Sequence, residues 1–189
     1  MAVIPGTDIH VWFIRPTAVG RTPECVLTCR FPVAVHQAKN RLEQRRPLTI
    51  RPLWSYRFSV AGAPFDLPLM SGLELAQNVR VAVPVCSESY DLVSFSTTTM
   101  QISPEGRGAL STAMYCFFAD TYDLNAYELA EITNISGSML TVSGTSATWD
   151  PARSVIYPAL VGTATGWSGN TKAAWSIEGS MTVEEEFAR

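Results

Sequence analysis

The sequence predicts an all-β protein, a sandwich or small barrel, with one short helix near residues 65–77. Three observations predict it. Short apolar runs alternate in period two and are broken by Gly, Pro, Asn and Asp at close intervals. Ser and Thr supply 27 of the 104 residues from position 86 onward, as expected of strands with one solvated face. Hydrophobic residues make up 47% and charged residues 16% of the chain, a balance that excludes a disordered polypeptide. At 189 residues the chain suits one large domain or two small ones and can fold without disulfide or metal staples. No apolar run reaches the roughly 18 residues of a membrane helix. Met1–Gly6 has no basic stretch, so no signal peptide is expected.

Taken in order, Ile9–Ile14 is rich in β-branched and aromatic residues and reads as a first strand. Pro16, Gly20 and Pro23 mark a loop over 16–24. Cys25–Val35 reads as a second strand, with Pro32 implying an edge or a bulge. Gln37–Arg46 is polar and suits a long hairpin loop or a short helix, ended by Pro47. Leu48–Val60 alternates, with Ile50, Trp54, Tyr56, Phe58 and Val60 on one face, and reads as a third strand. Phe65, Leu69, Leu73 and Ala76 fall on one helical stripe, which predicts the helix despite Pro68 and Gly72. Val79–Val85 alternates again. Beyond it, strands are expected at 91–97, 99–103, 112–118, 126–135, 138–143, 153–157 and 171–183. Ser136-Gly137-Ser138 is the turn of a hairpin. Gly166–Lys172 reads as a turn between strands. The organisation expected is an N-terminal β region over 1–85 with a basic loop, a Ser/Thr-rich barrel or sandwich over 86–165, and a C-terminal strand over 166–189 returning to the N-terminal region.

Net charge is −3, but the halves differ in sign. Residues 1–60 hold nine Lys/Arg against three acids, and residues 61–189 hold five against fourteen. Twelve of the fourteen basic residues are Arg, which pairs bidentately with carboxylates and suits interfaces. The halves either neutralise each other within a monomer or meet head to tail between copies, which would favour a ring. Nucleic acid is the less favoured partner for the basic stretch.

No constellation of catalytic residues stands out. His10 and His36 are the only histidines, there is no nucleophile elbow, and Gly166–Lys172 lacks the order of a phosphate-binding loop. His36 reads as a solvated residue at a strand end. Asp120, Asp123, Asn125 and Glu128 are spaced unlike a calcium loop and read as a solvated turn. Cys25, Cys29, Cys86 and Cys116 are too few for a disulfide framework and read as structural thiols. No metal or cofactor is expected. Trp12, Trp54, Trp149, Trp167 and Trp175 suit a core between sheets. Glu184-Glu185-Glu186 is a solvated strand end or a dock for arginines of a neighbour.

Glu43-Gln44-Arg45-Arg46-Pro47-Leu48-Thr49-Ile50-Arg51-Pro52, leading into an aromatic strand, resembles a segment of the tail proteins of tailed bacteriophages. In those proteins an acid–x–Arg turn leads into a strand that opens with Arg followed by Pro. Tyr127–Ile132, the hairpin to Leu140–Ser143, Trp149-Asp150-Pro151 and Val155-Ile156-Tyr157-Pro158 are similar to the β-domain of the same class. The resemblance covers roughly residues 25–187. It implies a non-enzymatic virion protein of the distal tail, tail tip or baseplate, assembled in the host cytoplasm. Its partners would be itself, as a ring-forming homo-oligomer, and other phage tail proteins, with no membrane. The subunit contacts expected are Arg45, Arg46, Arg51 and Arg57 against Glu184, Glu185 and Glu186. A carbohydrate-binding host-recognition module using Trp167 or Trp175, and a capsid decoration or neck protein, are the alternatives.

Overall fold

The computed structural model describes residues 2–12, 25–30, 33–37, 43–47, 53–62, 79–104, 110, 113–123, 126–143, 145, 148–173 and 176–185. The fold is all-β. Its strands are β1 (Ala2–Val3), β2 (His10–Val11), β3 (Cys25–Arg30), β4 (Val33–Gln37), β5 (Glu43–Pro47), β6 (Leu53–Gly62) and β7 (Arg80–Pro84). They continue with β8 (Tyr90–Ser96), β9 (Thr99–Ser103), β10 (Tyr115–Asp120), β11 (Tyr127–Ser136), β12 (Met139–Ser143), β13 (Ser154–Ala173) and β14 (Ser176–Glu185). Twelve strands form one sheet, and β4 and β5 form a separate two-stranded sheet. Among the described residues every pairing is antiparallel except β2 with β7.

Six strands close into a barrel. Pairing runs β13–β10–β11–β12–β9–β8 and returns to β13 through Val155↔Asp91 and Ile156↔Tyr90. Closure removes the exposed edges these strands would otherwise present. Strand alternation sends one side chain in two inward. Tyr90, Leu92, Met100, Ile102, Cys116, Phe118, Ala130, Leu140, Val142 and Ile156 make one buried cluster, joined by Leu110 and Trp149. The Trp149 ring stacks on Phe118 at a centroid distance of 5.6 Å. Each such aromatic side chain stabilises by about 1.5–3 kcal/mol through burial alone.

β13 is the spine of the molecule. Its 20 residues span on the order of 60 Å. One of its edges pairs first with β10 and then, from Gly162, with β14. The other pairs with β8 and then with β7. β14 continues to β6, and β6 to β3. Ile156 of β13 faces the barrel interior, and on the same face Leu160 and Ala164 enter a second core with Trp12, Tyr56, Phe58, Val81, Val83, Val85, Met181 and Val183. Ala159, on the opposite face of β13, packs with Ile9, Ala82 and Phe117 in a third cluster.

Four expectations need correction, the first being the single strand at 171–183, which is split because β13 ends at Ala173 and β14 opens at Ser176 and pairs back on it. Cys25–Val35 is not one strand: β3 pairs with β6, whereas β4 pairs only with β5. Phe31-Pro32 separates them, and proline has no N–H to continue a ladder. Gln37–Arg46 is neither all loop nor helix, because Glu43–Pro47 pairs with Val33–Gln37 as a hairpin. Gly166–Lys172 is not a turn but part of β13, where the register shifts between Thr165 and Ser168. Gly166 takes a φ of 66°, a left-handed conformation that lets the bulge form without ending the strand. The helix expected at 65–77 lies outside the described residues.

Candidate functional site

Arg45 and Arg46 lie on β5, paired in register with Val35 and Ala34. Among the described residues their hairpin pairs with no further strand. Arg57 is exposed in the middle of β6, between Val26 of β3 and Thr182 of β14. Arg51 and Glu186 lie outside the described residues. Glu184 and Glu185 end β14. The Arg30 guanidinium lies 3.2 Å from Glu184 Oε1, with both side chains at least half exposed. The Trp54 backbone N–H donates to Glu185 Oε2 at 3.0 Å. The structure thus ties two members of the acidic run to β3 and β6 of the same chain, and brings neither onto Arg57. Arg30 is the partner that sequence reasoning missed. Its only sequence signal was a cation at the end of a strand, 154 positions from the acid it meets.

Asp120 ends β10 and organises the turn after it. Its Oδ1 accepts from the N–H groups of Tyr122 (2.7 Å) and Asp123 (3.0 Å), and Arg153 closes the arrangement at 3.1 Å from Oδ2. The two backbone donors, supported by Arg153, hold the Asp120 carboxyl below the usual carboxylate range. The Arg153 guanidinium also lies over the Tyr122 ring, 5.3 Å from its centroid. Tyr122 itself is 77% exposed. Glu128 accepts from the Trp149 indole N–H at 3.1 Å. Asp120 and Glu128 are thus engaged by the protein's own donors, and Glu128 lies on β11 rather than in the turn. Among the described residues no group of three or more His, Cys, Asp and Glu is placed to hold a metal ion.

Trp12 and Trp149 are buried and Trp54 is half-buried. The Trp175 position and the Trp167 side chain lie outside the described residues. Cys116 is fully buried in the barrel, where desolvation pushes its thiol well above the ordinary range. Cys25 and Cys86 are half-buried and Cys29 is exposed. The Tyr56 hydroxyl is buried in the second core without a well-formed hydrogen bond. Burial, and the thiols of Cys86 and Cys25 beside it, push its ionisation far upward.

No protein-family model matches the chain, and no curated protein matches it in sequence.

Proposed function

We propose that this chain is a structural protein of a bacteriophage tail, in the distal tail, tail tip or baseplate, acting by self-assembly and by binding neighbouring tail proteins. The observation that carries this reading is the β4–β5 hairpin, which bears Arg45 and Arg46 and pairs with no other described strand. A two-stranded ribbon is marginal by itself in water and gains most when a neighbour covers it. The opposed charges of the two ends of the sequence supply the attraction. Arg45, Arg46, Arg51 and Arg57 of one copy meet acids such as Glu184, Glu185 and Glu186 of the next. The Glu184 carboxylate is half exposed beside Arg30, so it can accept from a second guanidinium. No catalytic step is assigned to any residue.

Charge reversal tests the reading. The wild-type protein is expected to form discrete oligomers by multi-angle light scattering and rings or stacks by electron microscopy. Arg45→Glu with Arg46→Glu is expected to shift it to monomer while leaving the far-UV circular dichroism unchanged. Assembly that persists unaltered in the double variant contradicts the contact.

A further inference from the structure

We infer that copies of this chain join head to tail by strand addition, the outer edge of β3 in one copy pairing with the outer edge of β13, over residues 165–173, in the next. The inference rests on the self-assembly proposed above and names the surfaces that carry it. β13, β14, β6 and β3 pair in that order as one antiparallel sheet. Among the described residues both flanks of that sheet are open. β3 pairs with β6 alone. β7 accompanies the outer edge of β13 only to Ala164, whose N–H donates to the Val79 carbonyl. From Thr165 to Ala173 no described strand lies on that edge, although β13 continues and its other edge is bound to β14. An open strand edge presents unpaired N–H and C=O groups, a template for a strand from another chain.

Direction, offset and polarity fit these two edges to each other. The four strands alternate in direction, so β3 runs opposite to β13. Rotation about a ring axis leaves strand directions unchanged. β3 of one copy therefore meets β13 of the next as an antiparallel pair. The contact joins two different patches, which is the heterologous kind that closes into a ring. Leu27 is level with Tyr56, Val183 and Ala164, whereas Gly169, in the middle of the open stretch, is level with Gly179. Each copy must then slide along its neighbour by about four residues, ~14 Å, for every four strand spacings, ~19 Å. That slope tilts the strands by about 35° from the ring axis, a tilt at which closed barrels run. The β3 end at Arg30 falls near Thr165 of the neighbour, where β7 of that copy takes the edge over. Tyr56, Phe58, Met181 and Val183 turn one face of the sheet into the second core. Thr28, Arg57, Thr165 and Thr182 are wholly or partly exposed. They lie on the other face, which a ring can leave in water. Pairing β3 with β3 of a second copy would leave the open stretch of β13 uncovered.

Disulfide trapping tests the pairing. Thr28 and Ser168 are exposed, as is the native Cys29, which is removed first by Cys29→Ser. In that background Thr28→Cys is combined in turn with Ser168→Cys and with Asn170→Cys, and each protein is oxidised with copper phenanthroline. Facing residues of an antiparallel pair have Cα atoms about 4.5–5.5 Å apart, within reach of a disulfide. At least one double variant is expected to give a non-reducing gel ladder that runs past the dimer and collapses with reductant. Peptide mapping should find position 28 linked to 168 or 170, and each single variant should stay monomeric on the gel. Dimers from Thr28→Cys alone, linked through position 28, would place β3 against β3 and overturn the inference. Oligomers by light scattering with no ladder from either double variant would overturn the edge pairing and leave the tail reading standing. A chain that scatters as a monomer at every concentration would overturn both.

Discussion

Asp120 shows how one carboxylate can build a turn. Two backbone N–H groups and Arg153 favour its charged form, so its folded pKa lies below its unfolded value of about 3.9. The stability this contributes is present above the unfolded value and is lost as pH falls through the folded one. Asp120→Asn is therefore expected to lower the melting temperature at neutral pH. The gap from wild type should close in strong acid, and a gap independent of pH would contradict the assignment. The Arg30–Glu184 pair differs, because both side chains are at least half exposed. Glu184→Gln should cost no more than about 1 kcal/mol in urea denaturation, and less in high salt. Gly162 is the third case. A Cβ there would collide with the backbone carbonyl of Glu184, so β13 and β14 approach closely only because position 162 has no side chain. Gly162→Ala should destabilise by about 1–3 kcal/mol, and an unchanged denaturation midpoint would deny the close approach.

At the scale of the element, alternation explains the first half of β8, and a bulge between Leu92 and Ser94 then resets it so that Phe95 also packs on the core. Leu92 points into the barrel at 3% exposure and Val93 points out at 49%. On β10, Phe118 points inward between Phe95 and Trp149. Phe118→Ala should cost about 3–5 kcal/mol, whereas Val93→Ala should stay within about 0.5 kcal/mol. Equal effects would place the barrel interior wrongly. Strands such as β9 and β12 were legible because one face meets a core and the other meets water, which writes period two into the sequence, whereas bulges in β8 and β11 interrupt it. β13 was only partly legible. Gly166–Lys172 carries turn residues, yet it pairs through Ser168–Thr171 because β14 lies alongside. That support comes from the next strand of the same hairpin, Ile177–Ser180, and Ala174-Trp175 between the two carries no Gly, Pro, Asn or Asp to announce it. The split between β3 and β4 was signalled by Pro32, but their different partners were not. The Arg30–Glu184 contact depends on β6 pairing with β3 on one edge and with β14 on the other, which spacing in the sequence does not encode.

The whole molecule joins a closed barrel to a sheet that still has edges. β13 belongs to both, so the two cores share one backbone, and damage at Gly162 should be felt in each. The barrel satisfies its own edges, whereas β1, β3 and the β4–β5 hairpin end the pairing among the described residues. The central claim is that such a molecule works by covering those edges with neighbours in a phage tail. The most direct measurement is immunogold electron microscopy of particles released by cells that make this chain, with antibody raised against the purified protein. The account predicts gold confined to one position on the tail, in a constant number per particle. Gold on no particle, with the protein recovered free in the lysate, would contradict it.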